Sequence, residues 1–191
     1  MGPRIAYRAL VEEAAKKYVA AQDPEQFSQL LEFLEGRELR VIIEIGTYHG
    51  GTTYLLSQTA PRALIVSVDN VLRERPIDAP RASYIIGNSQ ESETVEKVIE
   101  CLEGQLVDLL LIDGDHTYEG VKADWEIYSP LVGIGGLVAF HDILDWAPPG
   151  RSDEIAVWRL WEELKTTYRT REFVGPGTAG IGVIEIEDNT L

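Results

Sequence analysis

Short apolar runs alternate with helical segments over most of the chain. The runs have the length of buried strands, and the segments between them repeat their apolar residues with a helical period. The runs cover residues 40–45, 63–68, 83–86, 107–112 and 136–140, and the helical segments cover 52–58, 91–102 and 118–131. Repeated strand–helix units predict a doubly wound α/β fold whose sheet is mostly parallel, with right-handed crossovers.

The two ends of the chain add further elements to this pattern. Segments 5–20 and 24–35 are predicted helices, the second with Asp23 as N-cap, Pro24 at the first helical position and Gln26 as capping-box partner. A helix over 153–167 and a closing pair of strands at 171–174 and 181–186 complete a seven-stranded, Rossmann-like sheet. We expect one domain over 1–191, with N-terminal helices in 1–38 and the core in 39–191.

A glycine-rich turn after the first strand marks the candidate ligand site. The stretch 41–53 reads VIIEIGTYHGGTT. Gly46 and Gly51 have the separation of a phosphate-binding P-loop, but Thr52 stands where that loop needs lysine. Tyr48 stands where a dinucleotide fingerprint needs its second glycine, and its side chain would obstruct a pyrophosphate. Both common nucleotide motifs are therefore disfavoured, which leaves another ligand or a turn that only packs the helix on the strand.

Polar residues also follow the second and third strands. Asp69 lies 25 residues after Glu44, and an acid at this point binds ribose hydroxyls in dinucleotide folds. The alternative is a solvated carboxylate. After the third strand, Asn88 and Ser89 either face a bound base or act as helix N-caps.

Ionisable residues crowd the ends of the fourth and fifth strands. Asp113, Asp115 and His116 follow the fourth, and His141 and Asp142 follow the fifth. If the two strands are neighbours, four of these residues converge on one cleft: Asp113, His116, His141 and Asp142. Carboxylate with imidazole indicates a metal site or a hydrogen-bonded polar cluster. Two histidines and one carboxylate would also suit a non-haem iron oxygenase.

These motifs together resemble one family. The E-x-G-x-x-x-G-G stretch resembles the first motif of class I S-adenosylmethionine (SAM) dependent methyltransferases. The stretches D-G-D-H-x-Y-E-G-V-x-x-D and G-G-x-x-x-x-H-D are similar to those of the cephalosporin hydroxylase-like proteins and related natural-product O-methyltransferases. The resemblance covers about residues 40–142. It implies SAM as cofactor. Glu44 would hold the amino group of SAM, the glycine turn its methionine part, Asp69 its ribose, and the loop after strand three its adenine. The remaining residues implied to bind the cofactor are Gly46, Thr47, Tyr48, Gly50, Asn88, Ser89 and Asp113.

The resemblance also implies roles for the residues after strands four and five. His116 corresponds to a general base, and Asp113, His141 and Asp142 correspond to ligands of a divalent metal, Mg²⁺ or Mn²⁺. The chain departs from the family in placing His141 where an oxygen ligand is common. Imidazole suits Mn²⁺, Fe²⁺ or Zn²⁺ better than Mg²⁺. We therefore expect a SAM-dependent O-methyltransferase, with an iron oxygenase or a non-catalytic SAM-binding module as alternatives.

The composition of the chain limits the classes of partner that we expect the protein to bind. The net charge of −15 disfavours nucleic acid and anionic membranes. There is no run of 18 apolar residues, no apolar signal core, and a single cysteine, Cys101, which fits a cytoplasmic protein. We expect a small-molecule acceptor, while its identity and any homo-oligomer stay open.

Two further predictions concern the surface. Residues 145–152, with Trp146 as a stacking surface, are a predicted substrate lid, and Asp124 is predicted on an exposed helix face.

Overall fold

The computed structural model describes residues 3–18, 20–71, 79–146, 154–176 and 179–188. Within these ranges the chain forms one sheet with helices on both faces. The strands are β1 Val41–Ile45, β2 Leu64–Asp69, β3 Ala82–Ile86, β4 Val107–Ile112, β5 Val132–His141, β6 Thr170–Phe173 and β7 Ile181–Glu185. The helices are α1 Pro3–Tyr18, α2 Pro24–Leu34, α3 Gly51–Thr59, α4 Ser92–Leu102, α5 Tyr118–Tyr128 and α6 Val157–Leu164.

The seven strands lie in the order β3-β2-β1-β4-β5-β7-β6. Strands β1 to β5 pair in parallel, and β7 is antiparallel to both β5 and β6. From β1 the chain moves outward to β3 and then returns to β4 on the other side of β1. This topology confirms the predicted doubly wound, mostly parallel seven-stranded sheet, and it places a switch point between β1 and β4, where ligands bind in such sheets.

Alternating side chains of the strands build two apolar layers, one on each face of the sheet. In β1, Ile43 and Ile45 pack with α4, α5 and α6, whereas Ile42 packs with α1, α2 and α3. The N-terminal helices contribute Val11 and Phe27, both fully buried, to the second layer. None of the described helices has the length and apolar character to cross a bilayer.

Local sequence signals and tertiary contacts both shape the element ends. Asp23 caps α2 as predicted, accepting hydrogen bonds from the backbone of Glu25 and Gln26. The side chain of Gln26 does not close a capping box, because its carbonyl oxygen accepts from the backbone of Gly180 at 2.9 Å. Strand β5 begins at Val132, earlier than predicted, since its pairing with β4 continues across a register shift. Helix α6 is shorter than predicted, and Asp153 lies outside the described residues.

The carboxyl ends of β1, β2 and β4 meet around Gly46. Its backbone N–H donates to Val68, and the N–H of Asp113 donates to Ile45, both at 2.8 Å. Gly46 has a φ of +100°, and a Cβ there would lie 2.0 Å from the carbonyl oxygen of Asp113. Only glycine fits this position, because both its backbone conformation and the adjacent backbone exclude a side chain.

We expect Gly46→Ala to destabilise the protein far more than Gly104→Ala. Both glycines have positive φ, but a Cβ at Gly104 meets nothing within 4 Å. The control should therefore lose only about 1 kcal/mol of unfolding free energy, and Gly46→Ala about 3 kcal/mol or more, because backbone must move. Urea denaturation measures both values. Equal losses would show that the contact with Asp113 adds no constraint beyond backbone conformation.

Candidate active site

A cleft of about 580 Å³ opens at the carboxyl ends of the parallel strands. It collects the turns that follow β1, β2, β3 and β4, the end of β5, and the segment between α1 and α2. Its described lining residues include three aspartates and two histidines but no lysine or arginine. The lining consists of Ala20, Ala21, Gln22, Ile45, Gly46, Thr47, Tyr48, Gly51, Thr52, Val68, Asp69, Asn70, Val71, Gly87, Asn88, Ser89, Gln90, Asp113, Gly114, Asp115, His116 and His141.

The glycine turn and Asp69 form one wall of the cleft. The backbone N–H of Tyr48 donates to Asp69 Oδ2 at 2.6 Å, and that of Val71 donates to Oδ1 at 2.9 Å. Tyr48 has a φ of +50°, and Gly50, with a φ of +79°, is the N-cap of α3. The carboxylate of Asp69 thus ties the turns after β1 and β2 together at the predicted ribose position.

Glu44 lies beneath the turn rather than in the cleft lining. It is fully buried and accepts hydrogen bonds from Thr53 Oγ1, at 2.5 Å, and from Ser67 Oγ. Its side chain points to the α3 face because neighbours in a strand alternate. Burial raises the pKa of Glu44 to about 7, although both hydroxyls favour its charged form. Thr47 Oγ1 joins the same group, 2.6 Å from Ser67 Oγ.

The loop after β3 rests on a buried carboxylate of α5. Ser89 Oγ donates to Asp124 Oδ1 at 2.6 Å, and the hydroxyl of Tyr128 donates to the carbonyl of Ser89. Asn88 Oδ1 accepts from the backbone of Gln90. The prediction that Asp124 is exposed was wrong: its exposed fraction is zero, because this face of α5 packs against the loop. Burial raises the pKa of Asp124 to about 6.

Two carboxylates and two imidazoles converge beside the wall formed by the glycine turn and Asp69. His116 Nδ1 lies 2.8 Å from Asp142 Oδ2, and its Nε2 lies 3.7 Å from Asp113 Oδ1. His141 Nδ1 lies 3.4 Å from Asp113 Oδ1 and 3.2 Å from Asp142 Oδ2. With Nδ1 donating to Asp142, Nε2 is the basic nitrogen of a neutral His116 ring. The structure therefore brings together all four residues expected from strands four and five.

The charges of this cluster are coupled. The hydrogen bond with Asp142 raises the pKa of His116. Burial lowers the pKa of His141, but Asp113 and Asp142 outweigh it and raise the value to about 9. Asp142 is buried, which opposes ionisation, yet the two imidazoles hold its pKa well below the usual range. The charged form of Asp142 is thus stabilised by nearby positive charge, a role that imidazolium and a bound cation can both fill.

Asp142 is held on two sides. It has a φ of +62°, which is unusual for a residue with a side chain. Its Oδ1 accepts from Trp146 Nε1 at 2.8 Å, while Oδ2 faces the two histidines. Trp146 is therefore tied to the polar cluster through its N–H group. Residues 147–152 of the predicted lid lie outside the described residues.

Gln22 is a cleft residue that the sequence patterns did not reveal. It precedes the α2 N-cap, and its Nε2 donates to Asp113 Oδ2 at 2.8 Å and approaches Thr52 Oγ1 at 3.3 Å. A lone glutamine between two helices carries no motif. Its partner Asp113 is 91 residues further along the chain, so only the folded structure brings the two together.

Residues 43–143 match the family described as "Methyltransferase domain". The match covers just over half of the chain, and it includes the glycine turn, Asp69 and all four residues of the polar cluster. The chain therefore belongs to this methyltransferase family. This confirms the predicted class of protein, a methyltransferase with the class I fold, and it disfavours the iron oxygenase alternative.

Similar proteins cover the chain to different extents. An uncharacterised protein, y4gI, of Sinorhizobium fredii is 26% identical over 76% of this chain, which is only 17% of its own length. One similar structure is the methyltransferase MycE from the mycinamycin biosynthetic pathway, solved with Mg, S-adenosylhomocysteine (SAH) and mycinamycin VI. It matches with a TM-score of 0.64 and 17% identity, and the match covers 94% of this chain and 55% of the MycE chain. The O-methyltransferase TomG of Streptomyces achromogenes, involved in tomaymycin synthesis and solved with SAM, has a TM-score of 0.66, 16% identity, and coverage of 95% and 89%. At these identities the two structures show a shared fold.

Asp124→Asn is expected to flatten the pH dependence of stability. The folded protein holds a proton on Asp124 up to about pH 6, whereas the unfolded chain releases it near the ordinary value of 3.8. Between these values the native state binds more protons, so stability falls as pH rises, by up to about 3 kcal/mol in total. The variant lacks this contribution.

Urea denaturation between pH 4 and 7 measures this difference. Glu119→Gln removes an exposed charge from the same helix and serves as the matched control. Glu44 acts in the same direction between about pH 4.5 and 7 and is present in every variant. Parallel profiles for wild type and Asp124→Asn would contradict the raised pKa.

Proposed function

We propose that this protein is a SAM-dependent O-methyltransferase that acts on the hydroxyl group of a small molecule. The observation that carries the proposal is one cleft in which the glycine turn and Asp69 lie beside a histidine–carboxylate cluster. The fold and the family support SAM as the cofactor, and the histidine–carboxylate cluster supports removal of a proton from the acceptor hydroxyl group. Binding of SAM without catalysis would need no such cluster.

The residues around the cleft support a defined orientation of SAM. Gly46 and Gly50 carry no side chain at the points where the methionine part would pass, and Asp69 offers carboxylate oxygens to the ribose hydroxyls. Asn88 and Ser89 border the adenine end. Glu44 is proposed to act from below the turn, because its buried carboxyl group is not part of the cleft lining.

The size and charge of the cleft agree with small, cationic ligands. Its volume of about 580 Å³ lies in the range of small-molecule sites. SAM carries a sulfonium and an ammonium group, which favour a lining with several carboxylates and no described lysine or arginine. We propose a small-molecule acceptor on the same grounds; mycinamycin VI bound to MycE is an example of such a ligand in a protein of this fold.

His116 is the proposed general base. Its Nδ1 is engaged with Asp142, which leaves Nε2 to accept the proton of the acceptor hydroxyl. SAM supplies the activated methyl group. Asp142 holds the ring of His116 in place and stabilises the imidazolium that forms after proton transfer. The walls of the cleft then contribute by orienting the acceptor oxygen towards the methyl group.

Asp113, His141 and Asp142 fit a divalent cation. Each offers one ligand atom, and these atoms lie within 4.8 Å of one another. Both ring nitrogens of His141 are buried, and among the described residues neither makes an aligned hydrogen bond. These three residues would hold Mg²⁺ or Mn²⁺, which would lower the pKa of a bound hydroxyl as a Lewis acid. The imidazole ligand favours Mn²⁺.

We further propose that the chain works as one domain with an N-terminal helical part and a catalytic core. The packing of α1 and α2 in the same apolar layer as β1 and α3 supports this proposal. A cytoplasmic location stays a prediction.

His116→Ala should lower the methyl-transfer rate without removing the cofactor site. We expect a loss of about 10²- to 10⁴-fold in kcat, the usual contribution of general base catalysis. The dissociation constants of SAM and SAH, measured by calorimetry, should stay within about threefold, because SAM contacts other walls of the cleft. Parallel loss of binding and turnover would remove the base assignment. Failure of the wild-type protein to bind SAM or SAH would overturn the proposed function.

The metal proposal is tested on the protein without acceptor. We expect wild type to bind Mn²⁺ more tightly than Mg²⁺, and His141→Ala to weaken Mn²⁺ binding by at least about tenfold. His141→Asp, which makes the site all-oxygen, should shift the preference towards Mg²⁺. Calorimetric titration of each metal gives the affinities. Unchanged Mn²⁺ binding in His141→Ala would exclude this residue as a ligand.

A further inference from the structure

The segment between α1 and α2 forms part of the cleft wall. Ala20, Ala21 and Gln22 line the cleft, and Ala20 lies against the start of α3. A Cβ added at Gly51 would lie 2.5 Å from the Cβ of Ala20. Gly51, the first residue of α3, thus allows the N-terminal segment to lie against the methionine end of the proposed cofactor site.

Gln22 enters this end of the cleft in a defined orientation. Its exposed fraction is 7%, so the side chain is more than nine-tenths buried. The amide nitrogen lies 2.8 Å from Asp113 Oδ2. The amide nitrogen donates and the carboxylate oxygen accepts, so the nitrogen of Gln22 faces Asp113. This contact determines where the amide carbonyl points.

The carbonyl oxygen of Gln22 has no donor among the residues that the structure describes. Oε1 is buried, with an exposed area below 1 Å². A buried acceptor left without a partner costs free energy, and native proteins pair nearly all such atoms. The described lining offers no lysine or arginine that could donate to it. A ligand that brings its own donor would satisfy this atom.

We propose that Gln22 binds the α-ammonium group of SAM through its side-chain carbonyl. This inference rests on the proposed function and names a cofactor contact outside the glycine turn. The ammonium group is a strong donor, and Asp113 beside the amide adds a favourable negative charge. Gln22 thereby distinguishes SAM and SAH from adenosine thioethers that lack the amino acid part.

Calorimetry with two ligands separates this role from a structural one. SAH carries the ammonium group, whereas 5′-methylthioadenosine shares its adenosine and thioether but lacks the amino acid part. Gln22→Met keeps the length of the side chain and removes both donor and acceptor. We expect this variant to bind SAH about 10- to 100-fold more weakly, as for a lost hydrogen bond to a charged group, and to bind 5′-methylthioadenosine as wild type does.

The controls separate the possible failures. Gln58→Ala, an exposed glutamine on α3, should change neither affinity. Should Gln22→Met fail to fold, Gln22→Asn retains an amide, withdraws it by one methylene group, and should show the same selective loss. Equal weakening of both ligands would mean that Gln22 only supports Asp113, and no weakening would mean that it does not contact the cofactor; either result overturns the inference. Absence of SAH binding in wild type would instead overturn the proposed function, and this inference with it.

Discussion

The adjacency of β1 and β4 is the constraint on which the rest of the site depends. The backbone of Asp113 donates to Ile45, and Gly46 lies so close to the carbonyl of Asp113 that no side chain fits between them. The glycine turn and the turn after β4 are therefore fused into one surface. Because β5 pairs with β4 on the other side, His141 and Asp142 arrive at the same edge. The proposed cofactor site and the histidine–carboxylate cluster therefore lie side by side on one surface.

Buried carboxyl groups support this surface in different ways. Glu44 and Asp124 lie behind the turns after β1 and β3, each receiving hydroxyl hydrogen bonds, and burial raises the pKa of both. Asp142 is equally enclosed, yet two imidazoles lower its pKa. The local partners, rather than depth alone, decide the charge of each acid. Two acids with raised pKa values thus brace the loops, whereas Asp142 keeps its negative charge beside His116, where proton transfer is proposed.

The N-terminal helices belong to the site as well as to the core. Their apolar side chains complete one layer against the sheet, and the segment joining them carries Gln22 to Asp113. Asp23 caps α2 immediately afterwards, so the position of Gln22 is set by the start of that helix. The same short segment therefore precedes the capped start of a helix, covers the start of α3 and borders the proposed methionine end of the cleft. A cofactor in this cleft would contact two distant parts of the chain.

The order of strands and helices, the glycine turn and the cluster of His116, His141 and the nearby acids were all evident in the sequence. They were evident because strand periodicity, glycine spacing and polar residues at strand ends are local patterns. The burial of Asp124, the placement of Glu44 beneath the turn, the tie between Trp146 and Asp142, and the contact of Gln22 with Asp113 came only from the tertiary structure. The spacing of residues in α5 does not predict which of its polar residues pack against a loop, and a single glutamine in the sequence does not predict which residue it will contact. Such contacts depend on how distant segments pack, and that packing is determined by the whole core.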